Sequence, residues 1–383
     1  MKMTLGDIFE IGSGGTPSKT KTEYYGGDIP WVKTGDLKEE YLYSVEDYIT
    51  VEGLKNSSAK MYEPGTVLIA MYGATIGATS IMKLNACTNQ ACAAFKPCKD
   101  VLPEYLYYFL KSKKQKFISD GVGGAQPNIS AGYLKKVAFD IVPLNEQERV
   151  ITVLDKVNRI LSERQHEIEE LDNLIKARFV EVFGERGKVV PLTDYVWFQE
   201  GPGVRSVDFT DNGTILLTGS NINNNEISFG YKSDRFISND LASGKYAHFI
   251  CDKDDILVVS SAIAPEKFDK KVTIVKEDKK YCLNTGIIRF KPNLEVMTLG
   301  YFREFLKTDY FKHQVMAEMR GIAQMHFGPS HLKQMTILLP ESIDQQIEFE
   351  KFVKQVDKSK VAVQKALDET QTLFDSLMQE YFG

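Results

Sequence analysis

The side chains that could carry catalysis are scattered through the chain rather than gathered into motifs. The five histidines (His166, His248, His313, His326, His331) include no HExxH, the spacing that puts two imidazoles on one helical face around zinc. No GxxxxGK[ST] phosphate loop occurs. GSGGTP (12–17) neither follows the required strand nor opens a dinucleotide-binding helix, so it reads as a backbone turn whose N–H groups could meet a phosphate. No serine lies in a GxSxG elbow, and no Asn/Asp-Pro-Pro-aromatic tetrapeptide of the adenine methyltransferase kind is present. Glu277-Asp278-Lys279 is a single acid–lysine cluster in a charged turn, a weak nuclease signal. Cys87, Cys92, Cys98, Cys251 and Cys282 are odd in number and form no CxxC pair, which fits free, buried thiols in a cytoplasmic chain. No catalytic residue, metal ligand or cofactor-binding residue is expected here. The chain reads as a recognition component, not an enzyme.

With 383 residues, 43% apolar and 26% charged, the chain has material for two or three ordinary domains. No apolar run is long enough for a membrane span, and the start, MKMTLGDIFEIGSGG, lacks the pattern of a secretory signal. The net charge of −5 is unevenly placed. Residues 1–143 are net +1, 144–190 net −2, 191–340 net 0 and 341–383 net −4, so the acidity sits in two segments that read as helices. The neutral blocks contain basic runs, Lys111, Lys113, Lys114 and Lys116 in one and Lys267, Lys270, Lys271, Lys279 and Lys280 in the other. Such runs permit DNA binding without demanding it.

The chain is written twice. IPWVKTGDL (29–37) faces TILLTGSNI (214–222), aligned on Thr34-Gly35 and Thr218-Gly219. EPGTVLIAMYGA (63–74) faces DKDDILVVSSAI (252–263), and NQACAAFKP (89–97) faces NTGIIRFKP (284–292). AQPNISAGYLKK (125–136) faces AQMHFGPSHLKQ (323–334), PLNEQERV (143–150) faces PESIDQQIEF (340–349), and each half finishes on Phe-Gly. The offset drifts only from 184 to 199 along six matches in one order. This is a duplication.

Each half begins with short apolar runs punctuated by Gly, Pro and Asn, a β-rich α/β pattern. One helix is expected from Pro103-Glu104 and its counterpart from near Leu299, with Gly121 and Gly321 just past their ends. A last strand, Val137–Val142 or Met335–Leu339, runs into Pro143 or Pro340 before a long helix. Alternating steps of four and three give an apolar seam of Val150, Leu154, Val157, Leu161, Ile168, Leu171, Ile175 and Val182 in the first, interrupted by Arg164 and Arg178. In the second the seam is Phe349, Phe352, Val356, Val363, Ala366, Leu373 and Leu377, broken at Ser359, Thr370 and Glu380. The two arginines are expected to pair with Glu or Asp across the helices. Stripes this narrow need a partner: each helix could pack onto its own mixed block, or, as duplicated halves favour, the two could pair antiparallel. The expected fold is therefore an α/β (α+β) two-domain chain, a tandem repeat of a β-rich recognition domain plus a long helix, the helices forming an antiparallel coiled coil. Boundaries fall at 1–143 for the first domain, 144–184 for the central spacer helix, 185–340 for the second domain and 341–383 for the C-terminal spacer helix. A helix from Asn145 to Phe183 would be about 58 Å long, a rigid spacer between two globules.

LGDIFEIGSGGTPSK (5–19), GGDIPWVKTGDL (26–37), YEPGTVLIAMYGATIG (62–77), GGAQPNIS (123–130) and the Pro143-LNEQERVI junction together resemble the specificity subunits of type I restriction–modification systems. The second half looks like the same plan with a diverged block, and has Met325-His326 where the first has Pro127-Asn128. The resemblance implies two target-recognition domains, each reading one half of a bipartite double-stranded DNA site, with the helices setting the spacing. It also implies docking of two modification (methyltransferase) subunits that use S-adenosylmethionine and two restriction or motor subunits that use ATP and magnesium. None of these cofactors would be held by this chain, and no membrane is involved.

Base reading needs donors and acceptors on exposed loops, and phosphate contacts need Lys, Arg or backbone N–H groups. The first block offers Ser13, Thr16, Lys19, Lys33, Thr34, Tyr72, Thr75, Gln126 and Asn128. The second offers Arg205, Ser220, Asn221, Asn223, Ser260, Ser261, Lys267, Gln324 and His326. The Asn221–Asn225 cluster is as well suited to a turn as to reading. Two rival readings are the recognition arm of a fused methyltransferase–nuclease and a coiled-coil scaffold that binds no DNA.

Overall fold

The computed structural model describes residues 3–121, 128–184, 187–230, 232–317 and 326–383. In the first half the apolar runs form β1 (Ile11–Ser13), β2 (Tyr25–Val32), β3 (Val67–Ala70), β4 (Thr79–Met82), β5 (Ala86–Thr88) and β6 (Cys92–Phe95). Helix α1 (Pro103–Ser112) and the 40-residue α2 (Leu144–Phe183) follow. The second half supplies β7 (Val196–Glu200), β8 (Thr214–Leu217), β9 (Ile256–Val259), β10 (Val272–Ile274), β11 (Tyr281–Leu283), β12 (Ile287–Pro292), α3 (Leu299–Phe305) and the 40-residue α4 (Ile343–Phe382).

The duplication is visible in the hydrogen bonding. One sheet has the order β1-β6-β3-β4 in the first half and β7-β12-β9-β10 in the second, with antiparallel neighbours throughout these runs. The first copy alone adds the short strand Tyr41–Leu42 beside β4. A second sheet in each half contains one parallel pair, β2 with β5 (Trp31 opposite Cys87) and β8 with β11 (Leu216 opposite Cys282). Every residue of β3 (Val-Leu-Ile-Ala) and β9 (Ile-Leu-Val-Val) is buried, as expected of unbroken apolar strands covered on both faces. The turn after the parallel strand is one residue out of step with the Thr-Gly alignment. Asp36 accepts the N–H of Lys33 (2.7 Å) and Asn221 that of Thr218 (2.9 Å). The repeated feature is the capping acceptor, which tolerates a change of neighbouring letters.

Two expected helices are each interrupted. The first half has Pro103–Ser112 and then Lys114–Asp120; the second has Leu299–Phe305 and then Asp309–Ala317. Thr308 makes the second break, donating its hydroxyl to the Phe305 carbonyl and accepting the N–H of Phe311. The last strands are also shorter than expected, at Ala138–Phe139 and Thr336–Leu339.

By its contacts the chain divides into two units, Met1–His166 with Gln364–Gly383, and Glu167–Val363. Within the first, Val150, Leu154 and Val157 at the start of α2 share a core with Phe374, Met378 and Phe382 at the end of α4. Within the second, Ile175, Phe179 and Phe183 at the end of α2 share a core with Phe349, Val353 and Val356 at the start of α4. Beginning meets end in both units, the order of an antiparallel pair.

The seam departs from its expected positions. Val150, Leu154, Val157 and Ile175 are buried and Leu161, Ile168, Leu171 and Val182 half-buried, but the last turns bury Phe179 and Phe183. In α4, Phe349, Val356 and Val363 are buried and Phe352, Ala366 and Leu377 half-buried, whereas Leu373 is 51% exposed beside a buried Phe374. The contact follows the other alternation, four before three, through Val353, Lys360, Phe374 and Tyr381. Lys360 on that line bonds Asp172 of α2 at 2.6 Å. Arg178 does not pair across the helices: it bonds Glu181 on its own helix at 2.7 Å, while its guanidinium lies over the Phe352 ring. Truncating a buried ring on the true seam should leave a cavity. Phe374→Ala is expected to cost about 3–5 kcal/mol in denaturant unfolding and Leu373→Ala less than about 0.5 kcal/mol; equal losses would contradict this register.

Candidate nucleic-acid interface

In the first unit, the same end of the main sheet collects most of the first block's candidate readers. Ser13 closes β1, and Gly14-Gly15 then run so close to β5 that a Cβ on Gly14 would lie 1.7 Å from the Thr88 carbonyl oxygen. The Gly15 N–H is spent on that carbonyl (2.9 Å), so GSGGTP is a packed turn with one fewer donor for a phosphate. Thr16 donates to the Gln90 side chain. Lys33 forms an ion pair with Asp47, which raises its pKa, and its ammonium sits over Trp31. Thr34 opens the following turn.

Beyond β3, Tyr72 is 40% exposed, and its carbonyl accepts the Thr75 hydroxyl at 3.2 Å. Tyr72 bridges Asn128, which is exposed, and the next residue, Ile129, anchors the returning chain through its N–H to the Met71 carbonyl. These two residues line an open depression of about 490 Å³ with Asp120, Ser130 and Tyr133. Tyr133 donates to Asp120 at 2.6 Å, and burial together with that carboxylate pushes its phenol up to about 12. The Tyr133 bond and the Lys116 ion pair lower the Asp120 pKa and keep it an acceptor. An Asn amide, a phenol and a fixed carboxylate around one depression offer both donors and acceptors to a base edge. Asp120, Tyr133 and Gln90 were not among the sequence candidates. Lys19 is exposed, and Gln126 lies outside the described residues.

The second unit builds the corresponding edge with different chemistry. The N–H of Phe327 bonds the Ser260 carbonyl, repeating the Ile129–Met71 link, and His326 Nδ1 lies 2.9 Å from Ser261 Oγ. Ser260 itself is fully buried, so its side chain is no surface reader. Asn221 is a second correction. It is 0% exposed, accepts from the Thr218 N–H and hydroxyl, and donates to Ser228 and Asp234. Asn223 is half-buried and similarly committed, donating to the Ser220 carbonyl (2.6 Å) and accepting from Lys271 (2.7 Å). Ser220, Arg205 and Lys267 are exposed; Gln324 lies outside the described residues. Lys271, part of a basic run in the sequence, donates to the Gly219 and Ile222 carbonyls and to Asn223, and burial lowers its pKa. It holds the turn that carries Ser220.

In the basic runs Lys114, Lys116, Lys267, Lys270, Lys279 and Lys280 are exposed, whereas Lys111 and Lys113 are half-buried. Lys111 is tucked against Tyr107 and Phe374 with its pKa lowered by burial, and Lys113 donates to the carbonyl of Phe382 at the end of α4. Lys279 pairs with Asp252 and Lys280 with Glu277, so Glu277-Asp278-Lys279 is a neutralised turn. All five cysteines are free thiols, and burial pushes those of Cys87 and Cys92 up to about 11 and about 12. Among the described residues no His/Cys/Asp/Glu group is arranged to hold a metal, and no helix is long and apolar enough to cross a membrane.

A family model described as the type I restriction modification DNA specificity domain matches residues 1–172 and again 186–370. The chain belongs to this family. It is 34% identical over 173 residues to the MjaIX specificity subunit of Methanocaldococcus jannaschii, covering 44% of this chain and 40% of that one. Against the EcoR124I/EcoR124II specificity subunit of Escherichia coli it is 31% identical over 163 residues, again covering 40% of the relative. The matched region thus spans about two-fifths of these relatives' length. The MjaVIII specificity subunit of M. jannaschii aligns over 95% of this chain and 90% of its own at 22% identity. A solved chain from work on complex assembly and conformational transition of the type I R-M system shares the fold, with a TM-score of 0.60 at 15% identity over 100% of this chain and 97% of that one. In this specificity-domain chain the exposed Asn128 and the buried Asn221 should behave oppositely. Asn221→Ala is expected to cost about 1–3 kcal/mol in thermal unfolding, through orphaned donors. Asn128→Ala should leave the melting temperature in place and alter the bases selected by the assembled complex; the reverse pattern would contradict this division.

Proposed function

We propose that each of the two blocks reads one half of a bipartite double-stranded DNA site and that the long helices set the gap between the halves. The observation that carries this reading is the repeated sheet end. In both units a returning segment bonds the residue just after the central strand and delivers a polar side chain, Asn128 or His326, beside Tyr72 or Ser261. The two edges share a frame and differ in their side chains, as expected of two readers with different targets. Linking two weak half-site contacts through one body makes the second effectively intramolecular.

The role is recognition. Methyl transfer from S-adenosylmethionine, adenine flipping, and ATP- and magnesium-dependent motor or cleavage chemistry would belong to two modification and two restriction subunits docked on this chain. The acidic outer faces of α2 and α4 would serve that docking, and the complex would work in the cytoplasm. Gap choice tests the reading. A four-residue insertion after His166, matched by one after Val363, adds about one turn or 6 Å to each helix. At about 3.4 Å per base pair, the preferred gap in methylation assays with the cognate modification subunits should lengthen by one or two base pairs. An unchanged gap in a complex that still binds DNA would refute the ruler.

A further inference from the structure

The fourth residue of each 40-residue helix is a glutamine, Gln147 in α2 and Gln346 in α4, and both are 0% exposed. The two share a pair of bonds, and Gln147 adds a third. Gln147 Oε1 accepts the N–H of Leu102, the residue that caps α1, at 2.9 Å. Gln346 Oε1 accepts the N–H of Thr298, which caps α3, at 2.8 Å. Gln147 Nε2 donates to the Asp100 carbonyl (2.9 Å) and to the Val142 carbonyl (2.8 Å), and Gln346 Nε2 to the Val296 carbonyl (3.1 Å). One buried amide therefore ties the first turn of the long helix to the loop that enters the short helix of its own block. In the second unit Glu350, one turn further on, accepts the Gly300 N–H at 2.7 Å, an approach close enough that a Cβ on Gly300 would lie 2.5 Å from Glu350 Cγ.

Apolar packing would hold these elements together without fixing their angle, because burial is non-directional and a helix can roll or slide on a greasy face. Hydrogen bonds from a buried amide are directional, and breaking them leaves buried donors and acceptors unpaired. We propose that Gln147 and Gln346 are positioning residues for gap selection: each locks the launch angle of its long helix against its reading block, so that helix length is converted into a defined base-pair spacing. This rests on the bipartite reading above. It adds the prediction that gap choice and base choice are separable by mutation.

The test uses the full chain co-purified with its cognate modification subunits, and labelled methyl transfer to duplexes whose half-sites are separated by the native gap or by one or two base pairs more or fewer. Gln147→Met and Gln346→Met keep the volume and remove the bonds. Each should lower the ratio of methylation at the native gap to that at the neighbouring gaps by tenfold or more, with discrimination among half-site bases unchanged. Val157→Ala, a core change on the same helix away from the junction, should lower the melting temperature but leave the gap ratio intact. If a Met variant does not assemble, Gln147→Glu or Gln346→Glu, which retains the acceptor and loses the donors, is expected to loosen the gap in the same way. An unchanged ratio in assembled variants would overturn the proposal, as would a parallel loss of base discrimination or equal loosening by Val157→Ala. A wild-type complex indifferent to the gap would instead refute the bipartite reading, and the positioning role of the glutamines with it.

Discussion

Phe382, in the last turn of α4, packs edge-on against Tyr105 and Phe109 of α1, in the block that begins the chain. Its counterpart in the other unit is Phe183, at the end of α2, set against Tyr301 of α3 and Phe349. Each block's core is thus completed by the end of the helix that its own half does not launch at it. This exchange is the constraint on which the rest depends. A narrow apolar stripe on a 40-residue helix cannot be hidden by the helix alone, and most helical stability comes from burying such a face. Dividing each helix between two cores hides both stripes and makes each unit depend on residues from the far end of the sequence. Contacts that distant are costly in loop entropy.

The sheets turn this scaffold into candidate readers by placing differing side chains at one end. β3 and β9 are buried throughout and tolerate little change, while the turns beyond them carry Tyr72 and Asn128 in one unit and Ser261 and His326 in the other. The two ends differ in how much of their polarity is already spent. In the first unit a carboxylate and a phenol fix each other beside an open depression. In the second, Asn221 is bonded to Thr218, Ser228 and Asp234 and Asn223 to Lys271, while Ser220 and His326 are exposed. A reader that is internally satisfied is preorganised, and its own loop gives up little further freedom on meeting DNA.

Order and repetition were legible in the residues. Six matched segments and two heptad stripes were enough for the tandem architecture, because strand burial and helix periodicity are written in local apolar spacing. The phase of the second stripe was not. Starting from Phe349, three-then-four and four-then-three differ by one residue, and the choice between Leu373 and Phe374 is made by the rings of α1 on the opposing surface. Asn221 shows the limit for the site. An asparagine in a polar loop has the same letter whether it faces water or caps the turn beneath it. Two lysines of the basic runs turn inward for a related reason: long stems let Lys111 and Lys271 set their charge ends against rings and carbonyls that are distant in sequence.

The central claim is that one duplicated chain supplies two separate readers to one DNA-modifying assembly. Mapping methylated adenines across the host genome, with this chain present and with its gene deleted, tests that claim most directly. The account predicts a divided motif, two short specified halves around a gap of fixed length and unspecified sequence, that disappears on deletion and returns with the intact gene. An undivided motif dependent on this chain, or a divided one that persists without it, would contradict it.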